Sequence, residues 1–95
     1  MDTSNSDEFY SKLKEQLADT SVWPSKYMYK FIVPASGDAV LQIENIFDNT
    51  GAVITTKTSS KGTFTSLTIM VILKNPDAVI EKYKQVGVIP GVISL

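Results

Sequence analysis

Ser59, Ser60, Lys61 and Gly62 form the one short run in this chain that combines two hydroxyls, a mobile ammonium and a glycine. Backbone N–H groups opened by a glycine, set beside hydroxyls and a lysine, make a contact for an anion or a carboxylate. The same run also makes a good turn, because glycine supplies a positive φ and serines satisfy local backbone groups. The residues alone leave both readings standing. Lys57 lies just before the run, and Lys30 lies in an earlier extended segment. With Ser66 and Thr68 these lysines would form a small basic cluster, able to receive a carboxylate, a phosphate or an acidic partner. The plain alternative is solvated strand lysines whose stems cover apolar surface.

Composition narrows the chemistry further. The 95 residues contain no cysteine and no histidine. Disulfides and thiolate chemistry are excluded, as are Ser-His and Cys-His arrangements. A zinc site would need carboxylates alone, and no cofactor is called for. Asp, Glu, Lys and Tyr form no acid–base constellation, so the expectation is a non-enzyme. The net charge of −1 lacks the basic excess of a nucleic-acid binder. Tyr27, Tyr29 and Phe31 could stack on bases, but the glycine–aromatic pattern of RNA-binding plaits is absent from the third strand. The most apolar run, Leu67 to Leu73, is far too short to span a bilayer. The acidic, polar start MDTSNSDEF is the opposite of a signal peptide, and a cytoplasmic location is expected by default.

The elements that must hold these residues follow from periodicity. Met1 to Ser6 is polar and expected to be unstructured. A helix is expected from Ser6 or Asp7 to about Thr20, with Asp7 and Glu8 in its first turn and Phe9, Leu13 and Leu17 as a narrow apolar stripe. Trp23-Pro24 begins an extended segment. Lys26 to Val33 alternates as a strand, with Tyr27, Tyr29, Phe31 and Val33 facing the core and Met28, Lys30 and Ile32 facing away. A helix follows from about Asp38 to Phe47 or Asp48, inward through Val40, Ile43, Ile46 and Phe47. Ala52 to Thr58 is polar enough for an edge strand. Thr63 to Leu73 is the third strand. Asn75-Pro76-Asp77 starts a helix with Asn as cap and Pro in the first turn. That helix points Val79, Ile80, Tyr83 and Val86 inward and ends at Gly87. A last strand spans about Val92 to Leu95.

The order after the first helix, β-α-β-β-α-β, is that of a ferredoxin-like plait of the α+β class. Right-handed crossovers put both helices on one face of an antiparallel sheet of order 4-1-3-2. The expected division is a polar N-terminus with an amphipathic helix over residues 1–22 and the plait over residues 23–95. The other sheet face would carry Met28, Ile32, Phe64, Met70 and Ile72, too apolar to stand bare. The N-terminal helix is the first candidate to cover it, and a second copy of the chain is the other.

Trp23-Pro24, Tyr29-Lys30-Phe31, Lys57 and Ser59-Ser60-Lys61-Gly62, followed by Phe64 and Ser66, together resemble the YbeD-like family of small bacterial proteins. The resemblance covers about Trp23 to Leu95. Thr58 stands where that family usually has proline, Phe64 where tyrosine is common, and Pro90-Gly91-Val92 looks more like the corresponding stretch of ACT domains. The resemblance implies a ferredoxin-like plait related to ACT regulatory domains, which bind amino acids and related ligands, often at subunit interfaces. It also makes Gly37, in the loop Pro34-Ala35-Ser36-Gly37-Asp38, a candidate for lining an effector site. Ser36 or Asp38 of that loop equally serves as a helix cap.

Two functions follow as expectations. The first is a small regulatory domain, ACT-like in architecture, that binds an amino acid or organic anion through Ser59, Ser60, Lys61, Gly62, Lys30, Lys57 and Gly37. The alternative is a module that docks a protein partner, or a second copy of itself, through the exposed strand edge or the open sheet face.

Overall fold

The computed structural model describes residues 3–95; Met1 and Asp2 lie outside the described residues. In chain order the elements are α1 (Thr3–Thr20), β1 (Ser25–Pro34), α2 (Ala39–Ile46), β2 (Val53–Thr58), β3 (Phe64–Leu73), α3 (Pro76–Gly87) and β4 (Ile93–Ser94). The sheet order is β2-β3-β1-β4, which read from the other edge is 4-1-3-2 as expected. All its pairings are antiparallel.

β1 and β3 are the two long strands, and they pair along their whole length from Ser25↔Leu73 to Pro34↔Phe64. Their alternation sends every second residue to one face. Tyr29, Phe31 and Val33 of β1 and Leu67, Ile69 and Val71 of β3 are buried there. α2 and its C-cap residue close over them with Ile43 and Phe47, and α3 with Val79 and Val86. The remaining strands are short edges. β4 meets β1 only at Phe31↔Ser94 and Ile32↔Ile93, so the N-terminal half of β1 keeps one unpaired edge.

Tyr29 sits at the centre of the core with no exposed surface. Its ring lies 4.8 Å from Tyr27, 4.9 Å from Tyr83 and 5.2 Å from Phe47, centroid to centroid. Its hydroxyl donates to the Val79 carbonyl at 2.9 Å, tying β1 to α3. The hydroxyls of Tyr27 and Tyr83 share a second bond of 2.8 Å. Asn75 caps α3 by accepting from the Ala78 N–H at 2.9 Å, with Pro76 in the first turn. Lys82 of α3 donates to the carbonyl of Ile46, the last residue of α2, at 2.7 Å, where a cation complements the helix dipole. α3 includes Gly87 and is capped at Val88, one residue beyond the expected stop.

α1 differs from expectation in two ways. It begins at Thr3, so Asp7 and Glu8 fall beyond its first turn. No proline or glycine precedes Phe9 to stop the helix from propagating backwards. It also does not cover the open sheet face. It packs against α3 in the helical layer, where Leu17 is buried and Lys14 meets Asp77 at 2.8 Å. The Trp23 indole N–H donates to the Leu17 carbonyl at 3.1 Å and folds the connection back on the helix end. Leu13 and Leu17 of the α1 stripe pack against the core margin, while Phe9 stays largely exposed. The far face therefore stays bare, with Met28 50%, Ile72 65% and Val53 65% exposed.

Two outcomes follow from the tyrosine cluster. Tyr29→Phe removes one buried hydrogen bond and lowers stability by about 1 kcal/mol, a fall in Tm of about 4–8 °C for a domain of this size, measured by thermal unfolding. Burial first, and the neighbouring tyrosines second, push the Tyr29 and Tyr83 phenols above their ordinary value. The unfolded chain releases those protons at about pH 10 while the folded chain retains them. Stability from the cluster is thus complete below about pH 10 and declines above it. Denaturant midpoints from pH 8 to pH 11.5 are expected to fall less steeply in Tyr29→Phe than in the parent chain.

Candidate functional site

Antiparallel pairing brings the C-terminal ends of β1 and β2 beside the N-terminal end of β3. The loop after β1 is tied to the β2–β3 turn by the Ala35 N–H, which donates to the Thr63 carbonyl at 2.9 Å. The approach to β4 crosses the same end of the sheet. A Cβ built on Gly91, whose φ is +81°, would stand 3.1 Å from Pro34 Cγ and 3.2 Å from its Cδ. The close backbone approach at this end therefore belongs to Gly91, which the sequence did not single out. Gly37 has no atom within 4 Å of its Cβ position, so nothing approaches it closely. Asp38 takes the N-cap position of α2, but its carboxylate accepts from the Gln42 side chain at 2.7 Å and caps no backbone N–H.

The turn consumes half of its candidate residues. The Ser59 N–H donates to the Phe64 carbonyl and the Gly62 N–H to the Ser59 carbonyl, both at 2.8 Å. The Ser59 hydroxyl accepts from the N–H groups of Thr63 and Phe64, each at 3.2 Å. Gly62 holds φ at +72°, in the left-handed region. Ser59 and Gly62 are accounted for by the turn itself. Ser60 and Lys61 are exposed, with no side-chain hydrogen bond or ion pair among the described residues.

Beside the turn lies a shallow depression of about 380 Å³. Ile32 and Phe64 form its apolar side, and Lys57, Ser59, Ser60 and Ser66 its polar side. The Ser66 hydroxyl donates to the Lys57 carbonyl at 3.3 Å, and Lys57 is the lysine among the residues lining this hollow. Lys61 lines an adjoining hollow of about 280 Å³ with Ser60, Thr63 and Phe64. The structure thus gathers Lys57, Ser59 and Ser60 at one hollow, with Lys61 next to it. Gly37, Gly62 and Lys30 line neither.

Lys30 stands further along the open sheet face. The register sets Val53, Met70 and Met28 in one row across three strands, Thr55, Thr68 and Lys30 in the next, and Lys57, Ser66, Ile32 and Ile93 in the third. Lys30 and Lys57 are thus two strands and one row apart, roughly 12 Å between backbones from the usual sheet spacings. They do not converge on one atom. Thr68 and Ser66 of β3 lie between them, and the apolar row of Val53, Met70 and Met28 lies to one side of both. Lys26, which pairs with Ile72, extends the same face, although the sequence reading passed over it. The signal was available, since Lys26 has the parity of Met28 and Lys30. No strand contains an Asp or a Glu. Among the described residues no group of three or more His, Cys, Asp or Glu gathers around a point, and no helix is long and apolar enough to cross a membrane.

The two halves of the turn should separate on substitution. Gly62→Ala forces a side chain into the left-handed region and is expected to cost about 1 kcal/mol. Lys61→Ala is expected to change stability by less than about 0.5 kcal/mol, so that any binding loss in Lys61→Ala reports on contact and not on folding. Urea midpoints of the two variants make the comparison.

Comparison with known proteins agrees with this fold. No curated protein matches the sequence. Among solved structures the fold is similar to the ACT domain from GTP pyrophosphokinase of Chlorobium tepidum, with a TM-score of 0.54 and 16% identity over 75% of this chain and 100% of that one. At that identity the likeness speaks for the fold alone, a ferredoxin-like plait of ACT type. The family profile described as "Protein of unknown function (DUF493)" matches residues 19–95, from the end of α1 through β4. The chain therefore belongs to the DUF493 family, the YbeD-like family that its sequence resembles.

Proposed function

We propose that this protein is a non-enzymatic binding module whose open sheet face docks a segment of a partner protein that is both acidic and apolar. The observation that carries this reading is the bare face itself. Met28, Val53, Ile72 and Ile93 are each at least half exposed. An apolar patch of this kind, rimmed by polar side chains, is the usual mark of an interaction surface. Its charge is of one sign. The strands and the β2–β3 turn carry Lys26, Lys30, Lys57 and Lys61 and no acidic residue. Two copies placed face to face would set lysine against lysine, which argues for an acidic partner over self-association. Lys30 and Lys57, with Thr68 and Ser66 between them, suit a segment whose carboxylates meet the lysines while its apolar side chains lie on the neighbouring row of Met28, Met70 and Val53.

A second reading rests on the depression beside the turn. Lys57 and Ser60 over an apolar wall of Ile32 and Phe64 suit a small organic anion with an apolar body. This is the ligand-sensing role expected of an ACT-like plait, and it uses the end of the same face.

Amide chemical-shift mapping with a synthetic peptide of alternating Glu and Leu, and separately with citrate, tests both. Docking predicts peptide-induced shifts at Met28, Lys30, Thr68 and Met70, with affinity at least tenfold weaker in the double variant Lys30→Glu, Lys57→Glu and weaker in high salt. Shifts confined to Ser59–Phe64 that citrate reproduces and Lys57→Ala removes would favour the small anion. A sheet face silent to the peptide would reject docking.

A further inference from the structure

α1 and the plait do not close on each other completely. Between the N-terminal half of α1 and the β4 edge lies a cleft of about 370 Å³, on the helical side of the sheet and away from the open face. Phe9 and Leu13 form its α1 wall, Phe31 and Tyr83 its floor, and Val86 and Val92 its far side. Well-packed interiors leave few voids larger than a water molecule, and ligand pockets start at about 300 Å³. The cleft is thus oversized for a packing fault and adequate for a small ligand.

Its lining is mainly apolar, with Ser94, Gly87 and Leu95 completing it at the β4 and α3 side. The Tyr83 hydroxyl is already engaged by Tyr27 at 2.8 Å. Among the described residues no buried side-chain nitrogen or oxygen lacks a hydrogen-bond partner, so no orphaned polar group calls for water there. The cleft opens to solvent at the exposed Phe9 and Leu95, and covering its apolar lining with a ligand would be favourable. Four aromatic rings, those of Phe9, Tyr10, Phe31 and Tyr83, line it, and rings prefer offset or edge-on contact with other rings. Phe9 is 61% exposed at the rim, an aromatic side chain that the fold leaves without a full set of neighbours. α1 is held at its C-terminal end by buried Leu17 and the Trp23 indole, so its Phe9 end is the one placed to close over an occupant.

We infer that the cleft between α1 and β4 is a binding site for a neutral, apolar aromatic small molecule, with Phe9 and Leu13 as the side chains that close over it. The site is independent of the lysines and of the β2–β3 turn. Its occupancy would fix the N-terminal half of α1 against α3.

Fluorescence titration of the full chain with N-phenyl-1-naphthylamine, a neutral probe of three aromatic rings, tests this. The expected result is saturable one-to-one binding. Leu13→Trp, which fills the cleft, should weaken it at least tenfold, and Phe9→Ala, which removes the rim at an exposed position, should weaken it severalfold. Met28→Glu on the open face should leave it unchanged. Decanoic acid should compete less effectively than naphthalene. Absence of saturable binding would overturn the proposal. So would binding that survives both α1 substitutions, or binding abolished by Met28→Glu, which would place the probe on the open face. Competition in which decanoic acid displaces the probe better than naphthalene would overturn the aromatic assignment. Should Leu13→Trp prove misfolded by circular dichroism, Phe9→Ala carries the test alone.

Discussion

The Tyr29 phenol is the point on which the two layers of this molecule agree. It stands at the middle of the strand that pairs on both sides, under the helix that returns the chain to the sheet edge. Its ring touches aromatic side chains from β1, α2 and α3, and its hydroxyl bonds a helix carbonyl. A buried phenol without that partner would carry a desolvation cost of about 1–3 kcal/mol. The Val79 carbonyl removes the cost and fixes where α3 sits along β1. Once β1 and α3 are set, the parity of β1 decides what solvent sees. Burying Tyr29 turns Met28 and Lys30 outwards, and β3 repeats the choice in register.

The open face is therefore a by-product of the core. Apolar side chains on the outward parity have no packing reason to be there, because polar residues would satisfy the same strands. On the docking reading proposed above, a partner segment meets them. That is why the bare face weighs more than the turn, whose Ser59 and Gly62 are explained by local hydrogen bonds and a left-handed φ. Small sites on such a surface blend into the larger one, and the hollow at Lys57 is the polar end of an apolar field.

Strand order and helix placement were legible because periodicity and turn chemistry agreed at every step. Alternation from Tyr27 to Val33 named the inward residues, Asn75-Pro76 named a helix start, and the crossover rule then left one sheet order. The placement of α1 was not legible. Phe9, Leu13 and Leu17 announce that a helix face wants cover, but a stripe on one helix does not say which surface it will meet. The Trp23 indole bonding back to Leu17 and the Lys14–Asp77 pair hold α1 beside α3, and no periodicity encodes such side-chain contacts. The same gap hid the α1 cleft, since Val92 and Phe9 stand at opposite ends of the sequence. Gly91 was missed because a glycine after a proline reads as an ordinary turn, and its contact with Pro34 exists only in three dimensions.

The uneven placement of charge makes the molecule an electric dipole despite a net charge of −1. The strands and the β2–β3 turn carry four lysines and no acid, a charge of +4, and the rest of the chain carries five lysines and ten acidic residues, a charge of −5. A body so divided is turned by the field of another before they touch. Oriented encounter of this kind raises association rates without adding a contact. The cationic side would arrive first at any acidic surface, already facing it, while the helical layer with α1 trails behind.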